Sequence, residues 1–266
     1  MDIVAPNWLS LDAPVNGVSP GTFKHRMDES YEIQTVKLAH ERGLRILPVI
    51  ASLESSTYTD SLLSNPQAQA RFINEVQAYL HRTGADGIVI DFEKMSDEMG
   101  DEFVAFMQSL YAMMKGENKL LVIAVPAKLK SYTWYVEYDY TELVKYCDYM
   151  NIMTYDYSYS TSPPGPIAPL SWMEEVLKYT ATQVDDMSKI LLGINYYGRN
   201  WTENKGTDGK TTYSSSALNY TSAMALAAEN GAPVQRFALN GKGVGVPYFQ
   251  YIDKDGKLHH VYFEDG

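Results

Sequence analysis

The sequence has little of what disulfide-rich, metal-binding and nucleic-acid-binding proteins depend on. Among its 266 residues Cys147 is the single cysteine, so no internal disulfide can form. The 22 Lys and Arg are outnumbered by 33 Asp and Glu, and the resulting net charge of −11 disfavours nucleic acid and anionic membrane as partners. The five histidines show no metal-ligand spacing. We therefore expect no metal and no cofactor, and a neutral ligand fits best.

Long hydrophobic runs are missing as well. No stretch approaches the roughly 20 uninterrupted apolar residues of a membrane span. The residues after Met1 lack the basic start and apolar centre of a signal peptide, so we expect neither a membrane span nor a signal peptide in this chain. Tyrosine is plentiful, with 21 residues against 8 Phe. The ring and hydroxyl of tyrosine suit contact with sugar faces, although partly exposed surface positions explain most of these residues without a ligand.

The hydrophobic pattern predicts an α/β fold in one large domain, because six apolar runs alternate with helical segments. The predicted parallel strands are 3–10, 46–51, one in the run 84–93, 120–125, 149–154 and 190–195. The predicted helices are 30–42 with Ser30 as cap, 65–84, 98–115, 141–146 and 172–180. After Asn204 the pattern changes to a helix near 217–230 and an antiparallel hairpin, 247–252 with 258–263, around a turn at 253–256.

Two acids stand at the carboxyl end of the third predicted strand. In the run 84–93, GADGIVIDFE, strand alternation places Val89, Asp91 and Glu93 on one face. Two carboxylates held this close raise the pKa of one of them. A general acid beside an anionic helper is the arrangement that glycoside cleavage needs.

The same run carries a resemblance. It is similar to the D-G-x-D-x-D-x-E signature of family 18 glycoside hydrolases, the chitinase-type (β/α)8 barrels, with Val89 departing from the usual acid or amide. Residues 149–156, YMNIMTYD, resemble the M-x-Y-D motif of the sixth strand, and 189–199, KILLGINYYGR, resemble the G-x-x-x-Y-G-R motif of the seventh. The loop 163–172 resembles the bacterial spore and cell-wall N-acetylglucosaminidase branch and the animal chitinase-domain proteins.

The resemblance implies a TIM-type barrel with a small α+β insertion after strand seven. We assign 1–203 to the catalytic barrel, 204–262 to the insertion and 263–266 to the start of a C-terminal barrel segment. A first strand before Ile3 and a last strand after Gly266 do not appear in the sequence, so a truncated barrel is expected.

The resemblance also implies roles for residues. Glu93 would protonate the leaving glycosidic oxygen and later activate water, Asp91 would orient the substrate's 2-acetamido group, and Tyr155 would donate a hydrogen bond to its oxygen. These three are the expected catalytic residues. The expected substrate-binding residues are Asp156, Met153, Asn195, Tyr197, Arg199 and Trp8; Asp156 would touch the sugar or hold the acid, and Arg199 would contact a neighbouring sugar or close the rim. Trp8, Trp134 and Trp201 lie near predicted strand ends or loops, where an exposed indole could stack on a sugar, and a buried indole with a bonded N–H stays an equal alternative for each.

The expected function is hydrolysis of β-linked N-acetylglucosamine glycans by substrate-assisted retaining catalysis, in a protein that is secreted or held in the cell envelope or spore. The S-x-G-G turn common in chitinases is absent between Ala51 and Ser56. This absence favours peptidoglycan or another N-acetylglucosamine glycan over chitin as the substrate. Val89 cannot hydrogen-bond Asp91, so a chitinase-like lectin that binds without cutting stays open. An unrelated paired-acid barrel enzyme would need a phosphate loop, and the one candidate, 241–245, has no following helix.

Overall fold

The structure is a computed structural model that describes residues 2–241 and 245–265. The greater part of the phosphate-loop candidate, 242–244, lies outside these ranges. The chain divides into two compact units: Met1–Ile152 with Thr180–Leu191, and Met153–Tyr179 with Leu192–Gly266. The predicted division into 1–203, 204–262 and 263–266 stays a prediction.

The helices and strands alternate along most of the chain. The α-helices are α1 Glu29–Glu41, α2 Ser56–Leu63, α3 Pro66–Thr83, α4 Gly100–Gly116, α5 Tyr140–Leu143, α6 Leu170–Thr180 and α7 Tyr220–Glu229. The strands are β1 Ile3–Val4, β2 Leu9–Leu11, β3 Phe23–His25, β4 Arg45–Ile46, β5 Val49–Ser52, β6 Gly87–Phe92, β7 Leu120–Pro126, β8 Tyr149–Met153, β9 Ile190–Gly193, β10 Gly198–Lys205, β11 Thr211–Leu218, β12 Gln235–Phe237, β13 Val246–Ile252 and β14 Leu258–Tyr262. Short 3-10 turns occupy Asp97–Met99, Val144–Tyr146, Met187–Lys189 and Leu239–Gly241.

The first unit is built on a mostly parallel sheet of order β3-β2-β5-β6-β7-β8-β9, whose last two strands end in residues of the second unit. The pairs β2–β5, β5–β6 and β6–β7 are parallel, whereas β3 pairs antiparallel with β2. One face of β6 packs on helices α3 and α4 through the rings of Phe72, Phe92, Phe103 and Phe106, all of them buried. This packing uses one set of alternating β6 side chains and leaves the other set for the opposite face.

The second unit contains a five-stranded antiparallel sheet of order β11-β10-β14-β13-β12. Ala223 and Ala227 of α7 pack against Phe249, Val261 and Phe263, because small helical residues allow a close approach to the sheet. The predicted hairpin is confirmed: β13 and β14 pair antiparallel, from Tyr248 with Tyr262 to Ile252 with Leu258.

Most predicted elements are confirmed to within a few residues, and three corrections follow. Two predicted strands divide: 3–10 into β1, which pairs with β4, and β2, which enters the main sheet; and 46–51 into β4, which ends at Ile46, and β5, which begins at Val49. The cap of α1 is Asp28, whose carboxylate accepts a hydrogen bond from the Ser30 backbone N–H, so Ser30 was the wrong cap. Helix α2 and strands β3, β10, β11 and β12 were not predicted. By contrast, Asn65 and Gly84 cap α3 as expected.

Candidate active site

The acidic pair is carried by β6, which lies deep in the sheet of the first unit. Gly87 opens this strand where it approaches β7 closely, and a Cβ there would collide with the Leu120 carbonyl oxygen. Residues 87–90 are buried, as a strand covered on both faces requires. The strand therefore fixes the direction of the residues that follow it, Asp91 and Glu93.

Asp91 lies in a largely apolar environment. Its register partner on β5 is Ala51, and Val89, two residues earlier on the same face, is in register with Val49 of β5 and Val122 of β7. The Oδ1 atom is buried with no hydrogen-bond partner. Burial, followed by the repulsion of Glu93, raises the pKa of Asp91 from 3.8 to about 7. A carboxyl group that is partly protonated at neutral pH is available here.

Glu93 follows the last residue of β6 and is exposed. Its backbone N–H donates to the Ser52 carbonyl at 3.1 Å, which continues the ladder with β5 by one bond. Strand alternation continued to Glu93 would give it the same face as Asp91, and this placement stays a prediction. An exposed acid next to a buried one can reach both substrate and solvent.

Tyr138 is a neighbour of this pair that sequence reasoning missed. Its buried hydroxyl donates to the Phe92 carbonyl at 2.5 Å, at the residue between the two acids. Burial raises the pKa of Tyr138, and the charges of Glu137, Glu93 and Asp91 raise it further. Tyr138 lies 46 residues from Phe92 along the chain, so no local motif could have indicated the contact.

In the second unit, Asp156 is the centre of a polar cluster. Its Oδ1 accepts hydrogen bonds from the Tyr197 hydroxyl at 2.6 Å and from Arg199 Nη2 at 3.3 Å. The backbone of Asp156 has φ of 56°, a left-handed conformation that is uncommon outside glycine and concentrates at functional sites. The rings of Tyr155 and Tyr197 meet edge to face with centroids 6.4 Å apart. Four of the predicted site residues therefore lie together.

Arg199 of β10 is held from several sides. Its guanidinium lies 5.6 Å from the centre of the Tyr197 ring, and Nη1 donates to Ser215 Oγ of β11 at 3.5 Å. The Nε atom is buried with no hydrogen-bond partner. An Arg with these contacts keeps Asp156 and Tyr197 in a fixed arrangement, and its Nε–H donates no hydrogen bond within the described structure.

The two other predicted residues of the second unit have different environments. Asn195 is buried and donates from Nδ2 to the Tyr197 carbonyl at 2.7 Å, so it shapes the turn before β10. It also hydrogen-bonds Glu264, whose pKa burial nevertheless raises to about 7. Met153 ends β8 in a half-buried position, two residues before Tyr155. Their contact with substrate stays a prediction.

Trp8, predicted to stack on a sugar, is buried in the first unit with 7% of its surface exposed. Little of its ring face is free for a ligand. Among residues 2–241 and 245–265, no three His, Cys, Asp or Glu side chains lie close enough together to hold a metal ion. Within the same ranges, every helix is too short or too polar to cross a bilayer.

Comparison with known proteins gives the site a family context. Residues 12–265 match the sequence profile of the glycosyl hydrolases family 18. The Bacillus subtilis protein YdhD, which carries the name of a sporulation-specific glycosylase, is 30% identical over 98% of this chain and 61% of its own length. The cortical fragment-lytic enzyme of the same organism is 25% identical over 86% of this chain and 53% of its own.

Among solved structures, the chitinase-like C-terminal domain from Desulfitobacterium hafniense DCB-2 superposes with a TM-score of 0.91 and 38% identity, over 100% of this chain and 78% of that one. The α/β fold with its mostly parallel sheet is thus shared with chitinase-like proteins. The chain spans about half to three fifths of the length of the curated relatives it matches. Its sequence and its fold agree, and the chain belongs to the glycosyl hydrolases family 18.

Proposed function

We propose that this chain cleaves β-linked glycans of N-acetylglucosamine, with cell-wall or spore-cortex peptidoglycan as the leading substrate. The observation that carries the proposal is Asp91, a half-buried carboxyl group whose buried Oδ1 has no hydrogen-bond partner, two residues before an exposed Glu93. The cortical fragment-lytic enzymes among its relatives support the choice of peptidoglycan. Chitin is the alternative substrate, since chitinases are also relatives.

In the proposed reaction, the carbonyl oxygen of the substrate's acetamido group attacks the anomeric carbon while Glu93 donates its proton to the leaving glycosidic oxygen. The bond to the leaving sugar breaks and a cyclic oxazolinium ion forms. Glu93, now a carboxylate, removes a proton from water as the water opens that ring. Retention of configuration follows from the two successive displacements.

Asp91 would serve this sequence through its unusual environment. Asp91 as a whole is half-buried, so its carboxyl group can accept the acetamide N–H and so direct the acetamide oxygen to the anomeric carbon. The raised pKa, about 7, leaves Asp91 partly protonated at neutral pH. Positive charge on the oxazolinium favours the ionised form, so the interaction strengthens as the transition state develops.

For the second unit, the proposal keeps the roles that the family resemblance implies. Tyr155 donates to the acetamide oxygen, and Asp156 binds sugar in the orientation that Tyr197 and Arg199 give it. Asn195 stays a proposed substrate-binding residue, and its amide also positions Tyr197 through the Tyr197 carbonyl.

The test is Glu93→Gln, which keeps the shape of the side chain and removes the transferable proton. We expect kcat on an N-acetylglucosamine oligomer to fall by at least about a hundredfold, with oligomer binding retained. Glu98→Gln, at an exposed glutamate of the neighbouring 3-10 turn, is the matched control and should behave as wild type. Unchanged turnover in Glu93→Gln would refute the assignment. A wild-type chain that binds the oligomer without cutting it would establish the lectin alternative.

A further inference from the structure

The four tryptophans of the chain differ sharply in exposure. Trp8 and Trp172 each expose 7% of their surface and Trp201 exposes none, whereas Trp134 exposes 49%. The two residues that follow Trp134 are exposed as well, Tyr135 by 38% and Val136 by 53%. Single exposed apolar residues are ordinary on protein surfaces, but a contiguous aromatic group indicates a contact surface.

Trp134 does not stand alone on this surface. Its ring stacks on that of Tyr132 with centroids 4.2 Å apart and an angle of 23° between the planes. Two near-parallel rings in contact support one another and lose little side-chain freedom when a ligand arrives. The pair therefore presents a flat, fixed apolar surface next to a phenolic hydroxyl, which suits the C–H face and the hydroxyls of a pyranose ring.

The segment that carries the pair is attached to the strand of the acids. It follows β7, so it leaves the same end of the parallel sheet at which β6 delivers Asp91 and Glu93. Tyr135 packs edge-on against Tyr138 at 6.3 Å, and Tyr138 donates its hydroxyl to the Phe92 carbonyl. A short run of contacts thus joins the aromatic surface to the residue between the two acids.

Further contacts hold this segment in place. Lys128 Nζ donates to the Tyr138 carbonyl at 2.9 Å, and the Tyr140 hydroxyl donates to the Pro126 carbonyl. Tyr135 has φ of 63°, a left-handed conformation that costs free energy in a non-glycine residue and is kept where surrounding contacts impose it. The aromatic surface is therefore built on a fixed segment.

We propose that Tyr132 and Trp134 form a stacking platform for a sugar ring of the glycan substrate, at some distance along the chain of sugars from the bond that is cut. The inference rests on the proposed function and deepens it. An uncharged sugar chain is a suitable occupant, because stacking needs no cationic partner and the chain as a whole is acidic. The platform favours long glycans over disaccharides.

The test measures binding of an N-acetylglucosamine hexamer to the full chain carrying Glu93→Gln, so that the ligand is not consumed. Acrylamide quenching of tryptophan fluorescence reports the platform, because Trp134 is the one strongly exposed tryptophan of the four. We expect the hexamer to protect this fluorescence from quenching. Trp134→Ala should weaken hexamer affinity by about twofold to tenfold, the usual value of a lost aromatic contact, and Trp134→Phe should recover most of it.

Val136→Ala, an exposed apolar residue of the same segment, is the matched control and should bind the hexamer as the parent does. Without Glu93→Gln, Trp134→Ala should raise KM more for the hexamer than for a disaccharide glycoside. Equal hexamer affinity in the parent and Trp134→Ala, or no protection of the fluorescence, would overturn the platform. Neither result touches the proposed function, which fails instead if the wild-type chain cuts no glycan.

Discussion

Two aspartates that the sequence predicted as functional residues, one in each unit, have opposite environments. Asp91, in the first unit, has apolar register neighbours, a buried Oδ1 without a partner and a pKa of about 7. Asp156, in the second unit, is 41% exposed on its side chain and accepts hydrogen bonds from Tyr197 and Arg199. The carboxyl group of an aspartate therefore has a buried oxygen without a hydrogen-bond partner in one unit and accepts hydrogen bonds in the other.

The difference corresponds to two kinds of work. An unpartnered carboxyl group with a pKa near neutrality can change its proton and accept a new hydrogen bond during a reaction. A carboxylate held by an Arg and a Tyr keeps one orientation and suits recognition of a hydroxyl group. We expect Asp91 to act in chemistry and Asp156 in positioning.

The largest expected effect on folding comes from replacing the half-buried Asp91. The pKa of Asp91 is raised in the folded protein, so below about pH 4 this group is protonated in both the folded and the unfolded state and does not lower the free energy of unfolding. As the pH rises from about 4 to about 7, Asp91 ionises in the unfolded state but not in the folded state, and the folded protein loses stability. Asp91→Asn removes this loss. At pH 8 the variant should gain up to about 4 kcal/mol in free energy of unfolding relative to wild type, and at pH 4 the two should be nearly equal.

Urea unfolding of both proteins from pH 4 to pH 8 measures this difference. Glu93→Gln sharpens the experiment, since it removes the charge repulsion and leaves the burial: carboxyl carbon NMR should then show the pKa of Asp91 below 7 but still above 3.8. A difference between wild type and Asp91→Asn that does not change with pH would contradict the description of Asp91.

A smaller effect is expected from the satisfied aspartate. Tyr197→Phe removes the hydroxyl that donates to Asp156 but keeps the ring against Tyr155 and Arg199. We expect a loss of about 1 kcal/mol in stability, because the hydrogen bond is to a partly exposed group, together with a higher KM. Tyr196→Phe is the control, since Tyr196 is 87% exposed and adjacent in sequence. Equal thermal midpoints for the two variants would show that the hydroxyl contributes nothing.

The smallest effect is expected from changing Val89, which lies two residues before Asp91 on the same strand. Val89→Asn should give Asp91 a hydrogen-bonding neighbour and raise kcat severalfold, equivalent to less than about 1 kcal/mol at the transition state. Val89→Ala, which cannot hydrogen-bond, controls for the change in volume. If Val89→Asn folds normally and kcat stays at the wild-type value, the apolar side chain of Val89 does not limit the rate of catalysis.

Local patterns predicted the elements whose physical causes are local. The Asn65 cap with Pro66 and the Gly84 stop defined α3, and apolar runs defined β5 to β9. Strands β10 and β11 were not predicted from the sequence. The sequence of β11, TTYSSSAL, for example, has no alternation of apolar and polar residues. Its pairing, Thr211–Leu218 against Gly198–Lys205, is decided by a partner strand.

The sequence by itself determined the α/β class, the family and the order of the motifs, because strand periodicity and the spacing of acids are written along the chain. Tertiary structure decided which acid lacks a partner, since that depends on Ala51, Val49 and Val122 from neighbouring strands. It also decided that Trp8 and Trp201 are buried and that Trp134 faces solvent. Burial is a property of the packed neighbours, and these come from distant parts of the chain.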